Sequence, residues 1–139
     1  METDDFSGCL VLNTVMAARA LQRRYDERLS QFGVTVVQFS LLMTVRKYPS
    51  STLTEMSRRI AMDRTTLTRN LDLLARRKLV LKNRTDKGNA LTCVLTQEGD
   101  GLLDRLIPEW HKAQFELRAL MEGQNAQDYL TTLKRLAKG

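Results

Sequence analysis

Apolar residues recur at three- and four-residue steps along most of the chain, and near its middle the period shortens. Val15, Ala18, Leu21, Tyr25 and Leu29 follow the longer spacing, with Arg19, Arg23, Arg24, Asp26 and Glu27 between them, which predicts a helix over 8–31. Gly33 ends it, and Thr35 can cap a second helix over 36–48 bearing Val36, Phe39, Leu42, Met43 and Val45. Pro49, Ser50 and Ser51 break that helix. Thr52 then caps a short helix over 53–60 with Leu53, Met56 and Ile60 inward. After a turn at Ala61 and Met62, Asp63 caps a helix over 64–77 with Leu67, Leu71 and Leu74 on one face.

The next segment reads differently. Residues 79–82 and 91–95 are short β-leaning runs, and the turn formers from Asn83 to Ala90 between them predict a hairpin with a basic tip. Thr96 caps a long helix whose apolar seam is Leu103, Leu106, Trp110, Ala113, Leu117 and Leu120. Pro108 within it is expected to kink it, and Gly123 closes it. A last helix over 126–137 places Ala126, Tyr129, Leu130, Leu133 and Ala137 together. The fold class is therefore mainly α with a small two-stranded hairpin.

Charge sharpens the picture. The chain carries a net charge of +6, but twelve Lys or Arg against four acids fall between Arg46 and Ala90, a local net of +8. The rest of the chain is slightly acidic. A basic block inside an ordered domain points to a polyanion, against the plainer reading of a solvated basic face. At 139 residues the chain has the size of one domain. No run approaches the roughly 20 apolar residues of a membrane helix. The acidic start (Glu2, Asp4, Asp5) is unlike a secretory signal, so a cytoplasmic location is expected. Two cysteines are too few for a disulfide framework.

A short helix, a tight turn, a second helix and a hairpin form a winged helix-turn-helix. With its leucines turned inward, the second helix offers Arg64, Thr65, Thr68, Arg69 and Asp72 outward. Arg can donate two hydrogen bonds to guanine, and Thr can reach a base edge or a thymine methyl. Thr66 and the first-turn N–H groups can hold a phosphate. Arg84 and Lys87 on the hairpin can follow phosphates or enter a minor groove.

The runs 62–71 (MDRTTLTRNL), 77–80 (RKLV) and 94–99 (VLTQEG), with 33–35 (GVT) and 38–42 (QFSLL), resemble the MarR family of bacterial transcriptional regulators. The resemblance covers about residues 9–137 and implies a single domain over 1–139. Within it, about 35–96 form the DNA-binding winged helix, and about 8–31 and 97–138 form dimerisation helices. It further implies a homodimer on double-stranded DNA, with a recognition helix in each major groove of a palindromic operator. Repression relieved by a small aromatic effector or by cysteine oxidation is implied as well. Leu103, Leu106, Trp110, Leu117 and Leu120 are the expected dimer contacts. The wing departs from the family pattern: where an Arg commonly stands two residues after an Asp, Asp86 is followed by Lys87 and Gly88. Lys87 or Arg84 then takes that role.

Cys9, near the start of the first helix, is a candidate redox residue beside the plainer reading of a half-buried thiol. Cys93 is expected to pack inward, and Trp110 to belong to the core. His111 is the only histidine and has no companion ligand at helical spacing, so neither metal nor cofactor is expected. Catalysis is not expected either, since no phosphate loop and no nucleophile–histidine arrangement is present. The alternative is a winged-helix module that binds RNA or a protein partner without its own operator.

Overall fold

The computed structural model describes residues 5–85 and 90–138. After a 3₁₀ turn at Phe6–Gly8 come α1 (Leu10–Leu29), a second 3₁₀ turn (Ser30–Phe32), α2 (Val36–Lys47), α3 (Leu53–Arg59) and α4 (Arg64–Arg76). Two strands, β1 (Val80–Arg84) and β2 (Leu91–Leu95), precede α5 (Gln97–Leu120) and α6 (Ala126–Lys138). The strands pair antiparallel, Val80 opposite Leu95 and Arg84 opposite Leu91. An isolated bridge from Thr52 to Thr92 attaches the hairpin to the start of α3.

Side-chain caps set the helix starts. Thr35 and Gln38 form a reciprocal capping box at α2, Thr35 Oγ1 accepting from the Gln38 N–H at 3.1 Å and Gln38 Oε1 from the Thr35 N–H at 3.2 Å. Thr52 accepts from the Glu55 N–H, Asp63 from the Thr66 N–H and Thr96 from the Gly99 N–H. At the other end of α4, Lys78 takes a left-handed φ of 61°. Its N–H reaches the Ala75 carbonyl and the Leu79 N–H reaches that of Leu74, a Schellman-type stop. No glycine is present there to signal it.

The core gathers Leu41, Leu42 and Val45 of α2, Leu53 and Met56 of α3, and Leu67, Leu71 and Leu74 of α4. Leu102, Leu103 and Leu106 of α5, with Val80 and Cys93 of the hairpin, close it from the other side. The apolar seam expected along α5 thus divides. Leu103 and Leu106 are fully buried within a single protomer and offer a partner no surface, which corrects their reading as dimer contacts. Trp110 packs against the same core. Leu117 is half-buried and Leu120 exposed.

Elsewhere apolar surface is left open. The first half of α1 exposes Leu10, Val11, Val15 and Met16, and α6 buries no residue although Tyr129, Leu130 and Leu136 lie along it. Phe115, on α5, is also exposed. No helix among the described residues is long and apolar enough to cross a membrane.

Candidate nucleic-acid interface

Helix α3 and helix α4 meet through a turn held at several points. The Ser57 hydroxyl donates to the Met62 carbonyl and the Met62 N–H donates back to the Ser57 carbonyl at 3.0 Å. Arg64 Nη1 donates to Thr54 Oγ1 at 2.7 Å, linking the first residue of α4 to the second of α3. With Leu67, Leu71 and Leu74 buried, the opposite face of α4 must point outward. A shallow groove there is lined by Arg64, Thr65, Thr68, Arg69, Asp72, Leu73 and Arg76. Four of the expected contact residues therefore share one surface.

Thr66 does not share it in the expected way. Its N–H and its hydroxyl both donate to the Asp63 carboxylate, each at 2.8 Å. These bonds hold the Asp63 carboxyl below its ordinary range. Both Thr66 donors are therefore engaged by the Asp63 cap, which makes Thr66 a capping residue in this structure.

Arg76 and Lys82 were not singled out from the sequence. Arg76 continues the 69, 72, 76 spacing of the outward face, so following that period one turn further finds it. Lys82 is placed by the hairpin fold. Its ammonium pairs with the Asp72 carboxylate, neutralising the one acid on the α4 face and tying β1 to that helix. Arg69 and Arg84 form no side-chain hydrogen bond or ion pair among the described residues, and both are exposed. Lys87 lies outside the described residues.

The remaining candidates sit apart from this face. Cys9 is the half-buried N-cap of α1, its Sγ accepting from the Leu12 N–H at 3.4 Å. Cys93 is buried on β2, and burial pushes its thiol pKa up against the opposing pull of Lys82, so it stays protonated near neutrality. Among the described residues no three His, Cys, Asp or Glu side chains come close enough to hold a metal ion.

Comparison with known proteins agrees with this architecture. The MarR family model matches residues 32–87, which span α2 to the hairpin. The M. tuberculosis transcriptional regulator MosR, solved in complex with DNA, is 32% identical with a TM-score of 0.84, the match covering 94% of each chain. A mutant MarR of E. coli complexed with operator DNA is 25% identical with a TM-score of 0.74, covering 98% of this chain and 97% of that one. An uncharacterized HTH-type transcriptional regulator of Bacillus cereus is 24% identical over 107 residues, 76% of this chain and 71% of its own length. The chain belongs to the MarR family of transcriptional regulators.

Proposed function

We propose that the chain is a homodimer that binds double-stranded DNA at a palindromic operator, α4 entering the major groove, and represses the adjacent promoter. The observation that carries this reading is the face of α4 itself. It has an uncommitted Arg69 beside Thr65 and Thr68, turned away from a leucine-packed side, within the +8 segment of the chain. Arg84 at the end of β1 supplies a cation for the flanking backbone.

A second copy is the partner that fits the open apolar faces of α1 and α6 and the exposed end of α5, because so much exposed hydrocarbon is unfavourable in a lone protomer. Release by a small aromatic ligand is supported by a groove lined by Phe32, Leu79 and Leu102 together with Glu98 and Arg105. Release by oxidation of Cys9 is supported by its half-buried place at the head of α1, one of the faces assigned to the dimer. Its action in either case is binding rather than catalysis.

The test is a mobility-shift titration with the DNA upstream of the protein's own coding sequence. Sequence-selective, salt-sensitive binding by a dimer supports the proposal. Length-dependent binding without sequence preference, or preference for RNA, supports a winged-helix module with no operator of its own.

A further inference from the structure

Arg77 is the residue on which α4 ends, and its side chain crosses to the far end of α1. Nη1 donates to the Gly33 carbonyl at 2.6 Å and Nη2 to the Phe32 carbonyl at 3.3 Å. Gly33 is left-handed at φ 71°, and a Cβ there would stand 3.4 Å from Arg77 Nη2, so the guanidinium rests against bare backbone. The two carbonyls lie at the C-terminal end of the turn that finishes α1, where the backbone dipoles favour a cation. The same junction is tied from the other side. Asp26 of α1 accepts the Val36 N–H, the first of α2, at 2.7 Å.

These contacts join the recognition helix to the helix whose exposed apolar half is assigned above to the dimer. We infer that Arg77 is a positioning residue that fixes the angle of α4 relative to α1, and so the separation of the two recognition helices across a dimer. The inference rests on the dimeric, operator-binding reading. Arg77 is exposed, so its bonds add little to global stability, and their consequence is orientation. The planar fork of Arg spans both carbonyls at once, whereas Lys is a point charge. One base pair inserted between half-sites displaces them by about 3.4 Å and about a tenth of a turn. A rigidly held pair of helices rejects that displacement, and a loosened pair accommodates it.

The experiment uses full-length wild type, Arg77→Gln and Arg77→Lys. The probe is the palindromic duplex that wild type enriches from a random DNA pool, with versions carrying one base pair added or removed at its centre. Wild type is expected to lose about tenfold or more in affinity on the altered spacings. Arg77→Gln is expected to melt cooperatively, stay dimeric and keep its salt slope, while its discrimination falls to about threefold or less. Arg77→Lys should fall between the two. Wild-type discrimination in Arg77→Gln overturns the inference. So does a uniform loss on every duplex with a shallower salt slope, which would make Arg77 a phosphate contact, and so does loss of the folded state. A wild type that enriches no palindrome overturns the operator reading first and this inference with it.

Discussion

Gly99 lies so close beneath Leu79 that a Cβ placed on it would stand 2.1 Å from the Leu79 carbonyl oxygen. The same oxygen accepts the Thr96 N–H at 3.1 Å, and the Thr96 hydroxyl donates to the neighbouring Lys78 carbonyl at 2.6 Å. The first turn of α5 is thus seated on the link between α4 and β1. Gly99→Ala forces that turn outward in a buried place and should cost about 1–3 kcal/mol, typical of overpacking. Chemical denaturation is the measurement, and an unchanged midpoint would refute the close approach.

Lys78 carries the opposite opportunity. A side chain at φ 61° pays a left-handed penalty that glycine avoids, and the Schellman-type bonds around it use only backbone. Lys78→Gly should raise stability by about 1 kcal/mol, reduced somewhat by the greater freedom of glycine in the unfolded chain. A lower melting temperature in this variant would show that the Lys78 side chain does more than occupy the turn.

Acid should loosen the start of α4. Hydrogen bonds from the Thr66 N–H and hydroxyl lower the Asp63 pKa beneath its ordinary 3.8. A lowered carboxylate contributes stability that is fully present above the unfolded value and lost as pH falls through the folded one. Asp63→Asn removes the titrating group at that cap. Wild type should exceed Asp63→Asn in denaturation midpoint at neutral pH, and the gap should narrow as pH drops below 3.8. A gap that stays constant down to the acid limb would place the effect elsewhere.

Local features of this fold were legible in the sequence. Thr35, Thr52, Asp63 and Thr96 each begin a helix where a short oxygen-bearing side chain precedes an apolar period, and a cap needs only its own next three residues. The inward side of α4 followed from Leu67, Leu71 and Leu74 for the same reason. What the sequence did not disclose depends on residues far apart in the chain. Lys82 neutralises Asp72 only because the hairpin folds back on α4, and Arg46 reaches both Asp100 and Asp104 only because α2 packs on α5. The α5 seam exposed a different limit. Its period is uninterrupted from Leu103 to Leu120, yet it faces the protomer's own core at one end and open surface at the other. Periodicity reports that a face is apolar, not which neighbour covers it.

That division can be tested with one substitution at each end. Leu106 is fully buried, so Leu106→Ala should destabilise the protomer by about 2–5 kcal/mol through poorer packing and a residual cavity. Leu130→Asp places a charge on the exposed apolar side of α6 and should weaken self-association while leaving each protomer's own core intact. Light scattering and denaturation on both variants separate the two effects. A wild type that is monomeric at micromolar concentration would remove the dimer from the proposal.

Base reading and simple attraction to the DNA backbone fall to different residues. Arg69 is exposed on the outward face of α4 and makes no side-chain bond among the described residues, whereas Arg64 on the same face is bonded to Thr54. An uncommitted guanidinium one and a half turns into a major-groove helix can pair with both acceptors of a guanine. Arg69→Ala should therefore cost about 1–3 kcal/mol on the operator and flatten the preference at one or more base pairs. Lys87, placed by sequence at the tip of a basic hairpin, suits a phosphate, which carries no sequence information. Lys87→Ala should weaken operator and scrambled duplex by similar factors and reduce the salt slope by about one unit for each phosphate that is no longer neutralised. Salt titrations of each variant on both duplexes decide the matter. Equal weakening of both duplexes by Arg69→Ala would deny it the role of base reader. An operator-only loss in Lys87→Ala would make the wing a source of specificity, and no change at all would mean that Lys87 does not touch the DNA.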